Sequence, residues 1–180
     1  MIEANMPLKE VAFEVCTALQ DAEVLAVLVG GSAAAFYAPQ ASMTEDIDFV
    51  LHLELFGIPS RGVQALRDLG FKATNTKGTL AHGATKYTLE ILNGPLAVGF
   101  EDVDKWETHR SGDRILHVIS ATVSVKDRLA HAIHFHDLSA ARQAAEVAKL
   151  NEVDLEAVRR WCEDEGGSTV YDYFESFLTR

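Results

Sequence analysis

Two short stretches, LVGGS at residues 28–32 and DIDFVL at residues 46–51, decide how this chain is expected to fold. The first ends a valine-rich apolar run that starts at Val24, and its two glycines break the run, as is typical of a buried strand ending in a tight turn. From the serine onwards, SAAAFYA has high helix propensity and stops before Pro39, which predicts a short helix after the glycines. The expected order is strand, glycine turn, helix.

The second stretch carries two acids separated by one residue. Asp46 and Asp48 are expected to project from the same face of a strand, because side chains alternate with a period of two, and so to share metal ions. The apolar neighbours Ile47 and Phe49 indicate an interior strand, where unpaired carboxylates would be costly and a cation would be needed. A surface strand with an acidic rim is the alternative interpretation.

Gly30, Gly31 and Ser32 are candidates for phosphate binding. Backbone N–H groups converge on an anion where a glycine turn opens a helix, because larger side chains would block the close approach. The same three residues also suit an ordinary turn followed by a capped helix.

Together the two stretches, which 13 residues separate, resemble the signature of the DNA-polymerase-beta-like nucleotidyltransferase superfamily. In that family a strand, a Gly-Ser turn and a helix hold the triphosphate, and the next strand carries two metal-binding acids. The resemblance implies an α+β fold with a mixed β-sheet and flanking helices. It also implies that Gly30, Gly31 and Ser32 bind the nucleotide, and that Asp46 and Asp48 are catalytic and hold magnesium, with two ions expected.

The stretch KYTLEILNGPL at residues 86–96 resembles the third-acid strand of a bacterial subgroup related to abortive-infection toxin nucleotidyltransferases. This resemblance makes Glu90 the third catalytic, metal-binding carboxylate, in register to approach Asp46 and Asp48 if the two strands are adjacent. An exposed glutamate on a strand is the alternative. Residues 123–150 resemble the helical tail of the same subgroup. One departure is that the SAAAFYA helix is uncharged, whereas minimal antitoxin members usually carry a basic residue there.

Apolar periodicity predicts the remaining elements. The residues Asn93-Gly94-Pro95 strongly favour a turn and suggest a hairpin that joins the preceding strand to residues 96–100. Helices are predicted at residues 7–22 and 60–69, a strand at 84–92, and helices through 124–165 with breaks at 136–139 and 151–154.

The chain divides into two predicted units. A nucleotidyltransferase core is expected at residues 1–120, and a C-terminal helical unit packed on it at residues 121–180. Lys126 and Arg128 in the helical part are candidates for phosphate contact, although solvation on a helix surface also explains them. The histidines of HxxHxH at residues 131–136 suggest a metal site, but we favour packing or surface roles for them.

Composition restricts the possible partners and location. The formal net charge is −11, which argues against extended nucleic-acid binding through phosphate contacts. No run of 18 or more apolar residues and no signal-peptide pattern occurs, so a cytoplasmic protein with no membrane partner is expected. Cys16 and Cys162 lack metal-ligand spacing and are interpreted as reduced packing residues.

The resemblance implies a magnesium-dependent nucleotidyltransferase that moves a nucleoside monophosphate from a nucleoside triphosphate to a protein or RNA acceptor, in a toxin–antitoxin or phage-defence setting. No motif identifies the acceptor. A catalytically silent member that acts as a binding module is the first alternative. The second is a small α/β protein in which the glycines and acids coincide by chance, and the absence of a GxGxxG fingerprint excludes a dinucleotide site.

Overall fold

A seven-stranded mixed sheet with helices packed around it organises the fold. The computed structural model describes residues 2–40, 44–52, 57–76 and 78–179. The helices are α1 (Leu8–Asp21), α2 (Gly30–Tyr37), α3 (Ser60–Asp68), α4 (Ala121–Phe135), α5 (Leu138–Leu150), α6 (Leu155–Asp164) and α7 (Ser168–Leu178). The strands are β1 (Ala26–Val29), β2 (Asp46–Leu51), β3 (Lys72–Ala73), β4 (Thr79–Ala81), β5 (Thr88–Asn93), β6 (Ala97–Val98), β7 (Glu101–Asp102), β8 (Glu107–Ser111) and β9 (Arg114–Val118).

The strand order in the large sheet is β3-β4-β5-β2-β1-β9-β8. Strand β2 runs antiparallel to β1 and parallel to β5, and β1 runs parallel to β9. Strand β1 is apolar and buried along its whole length, as the valine-rich run predicted. The α+β fold class expected from the sequence is confirmed.

The strand, turn and helix around the glycines are also confirmed, with one shift of boundary. Helix α2 begins at Gly30 and not at Ser32, so both glycines lie in its first turn. Gly30 has a φ of +65°, in the left-handed region that glycine adopts without strain. This backbone conformation lets an extended strand pass directly into a helix.

The predicted hairpin between the strand at 84–92 and residues 96–100 is wrong. Residues Ala97–Val98 pair with Glu101–Asp102 in a separate two-stranded sheet. The physical reason is that both edges of β5 are already occupied, by β2 on one side and by β4 on the other. The turn residues correctly predicted where the strand ends, but they did not predict which strand pairs with it.

The helices bury their apolar faces in one hydrophobic core. Helix α4 packs against α5, α2 and α6, and α7 packs against α5. Phe13 of α1, Phe49 of β2 and Phe174 of α7 are all at most 2% exposed, so helices from both ends of the chain share this core. Cys16 and Cys162 are free and buried within it, as packing residues would be. None of the described helices is both long and apolar enough to span a membrane.

Candidate active site

Asp48 and Glu90 lie directly opposite each other on the parallel strands β2 and β5. Asp46 lies opposite Thr88 in the same register, and the Thr88 hydroxyl donates a hydrogen bond to its carboxylate. Because side chains alternate along a strand and paired residues share a face, all three acids project from one face of the sheet. The adjacency of the two strands that the sequence required is therefore present.

These acids open into a pocket of about 600 Å³. Its volume falls in the usual range for small-molecule sites, roughly 300–1,000 Å³. It is lined by the sheet acids Asp46, Asp48 and Glu90, by Gly30 and Gly31, and by residues of α4 and α5. Five of the six residues predicted for the site thus line a single pocket.

Gly30 is the glycine that the packing requires. A Cβ atom at this position would collide with Oδ2 of Asp48, and it would also sit on a positive φ. A Cβ at Gly31 would make only ordinary contacts, 3.7 Å from Nη1 of Arg128. The first glycine of the pair therefore allows Asp48 to pack against the start of α2.

Ser32 is not among the residues that line the pocket, and it is fully buried. Its hydroxyl donates to the carbonyl of Val29 at 2.7 Å and accepts from the N–H of Asp48 at 3.0 Å. The side chain therefore joins the end of β1 to β2, and its hydroxyl is used inside the protein. Any contribution of this hydroxyl to ligand binding would come through the position of Asp48.

The pocket is strongly electronegative. Burial, and then the charges of Glu90 and Asp46, raise the pKa of Asp48 to about 7, while Arg128 acts in the opposite direction. Asp127 adds a fourth carboxylate to the lining. Four carboxylates thus share the pocket with one arginine, so a ligand that brings positive charge would relieve repulsion between them.

The donor set suits a hard divalent cation. Mg²⁺ prefers carboxylate oxygen ligands, and the four carboxylates of this pocket are accompanied by a single arginine, Arg128. Among residues 2–40, 44–52, 57–76 and 78–179, however, no group of three or more His, Cys, Asp or Glu side chains is arranged closely enough to hold a metal ion. The three acids share a pocket without forming a ready-made coordination group.

The two basic candidates for phosphate contact separate in the structure. Arg128 lines the pocket, and its guanidinium is held by Asp127 through bonds of 3.0 and 2.7 Å. Lys126 is buried and forms an ion pair of 2.6 Å with Glu101. Arg128 is therefore available to a ligand in the pocket, whereas Lys126 supports the β6–β7 sheet.

The three histidines of HxxHxH do not act as a group. His131 lines the pocket, whereas His134 lies 3.0 Å from a carboxylate oxygen of Glu165. His136 follows the end of α4 in a left-handed conformation, with a φ of +57°. The first histidine belongs to the pocket and the other two to the end of the helix.

Sequence reasoning missed several lining residues, and Gln143 most clearly. It lies on α5 and reaches the pocket because α5 packs against α4. No local pattern marks it. Asp127 and His131 are one helical turn apart on α4, and this spacing could have indicated a shared face.

Comparison with known proteins supports the fold. No family model matches the chain, and no curated protein matches it by sequence. The crystal structure of an antigenic nucleotidyltransferase-like protein from Paracoccidioides brasiliensis matches at 14% identity with a TM-score of 0.64, covering 96% of this chain and 94% of that one.

Two structures of ANT(2'')-Ia match more weakly. The solution structure of this antibiotic-resistance factor has 14% identity, a TM-score of 0.46 and coverage of 97% of this chain and 94% of its own. The crystal structure with adenylyl-2''-tobramycin has 14% identity, a TM-score of 0.41 and coverage of 96% and 97%. At these identities the first match establishes the fold alone, and the chain has a nucleotidyltransferase-like fold.

Proposed function

We propose that this protein is a magnesium-dependent nucleotidyltransferase that transfers a nucleoside monophosphate from a nucleoside triphosphate to a protein or RNA acceptor. The observation that carries the proposal is the pairing of Asp48 with Glu90 across two parallel strands, in one pocket with Gly30. Three acids lie on one face of the sheet, beside a glycine turn and the start of a helix. The acids suit the metal ions of a nucleotidyl transfer, and the helix start suits the phosphates.

The three acids share one role in this proposal, and Glu90 has a second. Asp46, Asp48 and Glu90 would hold magnesium, with two ions expected. Magnesium, when bound, would neutralise the phosphate charge and make the acceptor hydroxyl easier to deprotonate. The hydroxyl oxygen attacks the α-phosphorus, the bond to the β-phosphate oxygen breaks, and pyrophosphate leaves. Glu90 is the group that we expect to accept the hydroxyl proton.

The triphosphate would lie between the start of α2 and Arg128. The N-terminal end of a helix favours an anion, because its backbone N–H groups and dipole point towards it. Arg128 lies near Gly31 and can form bidentate hydrogen bonds with phosphate oxygens. Asp127 holds the guanidinium in place, which limits the entropy lost when phosphate binds.

The proposal includes the division of the chain into a core at residues 1–120 and a helical unit at 121–180. Helix α4 starts at Ala121 and supplies Arg128, so the second unit would complete the nucleotide site. We further propose a cytoplasmic enzyme of a toxin–antitoxin or phage-defence system, on the resemblance of its sequence to that subgroup.

The direct test is transfer of label from nucleotide to acceptor. The purified protein is incubated with each α-labelled nucleoside triphosphate, magnesium and cell extract, and labelled protein and RNA are then separated. We expect Asp48→Asn and Glu90→Gln to reduce transfer by at least about 100-fold. Asp113→Asn is the matched control, because Asp113 is exposed in the turn between β8 and β9. An Asp48→Asn protein with full activity would exclude the assignment.

A catalytically silent binding module is the second candidate. It is favoured by the net charge of −11 and by the lack, among the described residues, of three ligands already arranged around a metal position. Calorimetry separates the two candidates. An enzyme binds nucleoside triphosphate in a magnesium-dependent way, whereas a silent module for a basic partner does not.

A further inference from the structure

Asp46 is the exposed member of the three sheet acids, yet both its backbone and its carboxylate are held by threonine hydroxyls. Its backbone N–H donates to the hydroxyl of Thr44 at 3.1 Å, and that hydroxyl donates to the carbonyl of Asp46 at 3.2 Å. Oδ1 of its carboxylate accepts a hydrogen bond from the hydroxyl of Thr88. An exposed aspartate would otherwise change rotamer freely, so the Thr88 hydroxyl fixes the direction of this carboxylate.

The sheet itself sets the position of Thr88. It lies opposite Asp46 on the adjacent strand β5, and its backbone N–H donates to the carbonyl of Glu45 at 2.9 Å. Glu90 follows two residues later on β5 and therefore projects from the same face. Strand β5 thus presents two polar side chains to the acids of β2, one a carboxylate and one a hydroxyl.

Each aspartate of β2 is held by a hydroxyl from a neighbouring element. Ser32 binds the backbone N–H of Asp48, whereas Thr88 binds the carboxylate of Asp46. Within the part of the chain that the structure describes, the acids of the pocket do not already surround one metal position. The direction of each carboxylate therefore decides whether the acids can converge on a cation, and hydrogen bonds to carboxylate ligands commonly set that direction.

We propose that Thr88 is a positioning residue for Asp46, and that its hydroxyl holds this carboxylate in place for the metal site. The inference rests on the proposed function, because it concerns the magnesium that this function requires. The hydrogen bond engages Oδ1 and leaves the other carboxylate oxygen for a cation. Thr88 is not among the residues that line the pocket, so it acts through Asp46.

The test measures binding of Mn²⁺, a spectroscopic substitute for magnesium, to the nucleotide-free protein by electron paramagnetic resonance at pH 8. Thr88→Val keeps a β-branched side chain of similar size on the strand and removes the hydroxyl. We expect it to weaken Mn²⁺ binding about 10-fold, as when a metal ligand loses its supporting hydrogen bond. Thr88→Ser keeps the hydroxyl and should restore the affinity to within about 3-fold of the parent value.

Thr108→Val is the matched control. Thr108 is also a strand threonine whose hydroxyl bonds to a side chain of the neighbouring strand, Nδ1 of His117 at 2.9 Å, but it lies on β8 at the far edge of the sheet. It should leave Mn²⁺ affinity unchanged. Melting curves in EDTA separate stability from metal affinity. A lower melting temperature of Thr88→Val with unchanged Mn²⁺ affinity would assign Thr88 a structural role alone.

Two further variants separate this inference from the proposed function. If Asp46→Asn and Asp48→Asn both bind Mn²⁺ as tightly as the parent, the metal site fails and the proposed function fails with it. If binding depends on these aspartates, but Thr88→Val binds as tightly as the parent or Thr88→Ser binds as weakly as Thr88→Val, only the role of Thr88 is overturned. Equal weakening in Thr88→Val and Thr108→Val would overturn it as well.

Discussion

The carboxylate of Asp48 packs against the backbone of Gly30, where a Cβ atom would overlap Oδ2. The backbone N–H of the same aspartate donates a hydrogen bond to the hydroxyl of Ser32, which follows Gly30 by two residues. The two short stretches that define the sequence are therefore in direct contact, once through a side chain and once through the backbone. A change in either stretch should disturb the other.

Gly30→Ala should destabilise the protein more than an equally strained substitution elsewhere. The added methyl group meets Asp48, whereas at Gly112, which has a φ of +61°, a Cβ meets nothing within 4 Å. Both variants carry the strain of a positive φ, so the difference between them isolates the collision. We expect Gly30→Ala to lose about 1–3 kcal/mol more than Gly112→Ala in urea unfolding. Equal losses would show that Asp48 moves aside without cost.

Ser32→Ala should lower stability because it leaves the N–H of Asp48 without its hydroxyl partner and removes one hydrogen bond to the carbonyl of Val29. We expect a loss of about 1–3 kcal/mol, as for a buried unsatisfied group. Ser176→Ala is the control, because Ser176 also donates to the carbonyl three residues earlier, at 2.7 Å, but in an exposed position. Its loss should stay within about 0.5 kcal/mol. A similar small loss in Ser32→Ala would mean that water replaces the hydroxyl.

The part of the site that sequence predicted is the part built from local signals. The glycine turn and the alternating acids of β2 could be predicted from neighbouring residues in the sequence. The prediction of Glu90 needed only one further condition, that β5 lie beside β2. The contribution of α4 and α5 to the pocket depends on how these two helices pack, so Gln143 carried no local signal. The failed hairpin at Pro95 has the same origin, because a turn ends a strand without choosing which edge is free.

The stabilising contribution of Asp48 to the apo protein should be lost as pH rises from about 4 to about 7. The pKa of Asp48 is about 7 in the fold, above its ordinary value of 3.8, so the folded state holds a proton that the unfolded state has released. The stabilisation is complete below the lower value and is lost as pH passes the higher one. Asp48→Asn mimics the protonated acid, so we expect it to exceed the parent stability at pH 8 by on the order of 2–4 kcal/mol and to match it near pH 4.

Urea unfolding at both pH values provides the measurement. Asp113→Asn is again the control, and it should follow the parent at both values because its carboxylate is exposed. If Asp48→Asn is destabilised at pH 8, the buried charge is already compensated within the protein.

Magnesium should stabilise the protein, and this effect should depend on the same acids. The four carboxylates of the pocket face one arginine, so a bound cation relieves repulsion in the folded state alone. At a concentration ten times the dissociation constant, we expect magnesium to add about 1.4 kcal/mol. The shift in melting temperature should be clear at pH 8, and smaller at pH 5.5 because a proton on Asp48 competes with the metal. Asp48→Asn and Glu90→Gln should abolish it, whereas Asp113→Asn should retain it. An equal shift in all four proteins would assign magnesium to the general acidic surface and remove the metal from the proposed mechanism.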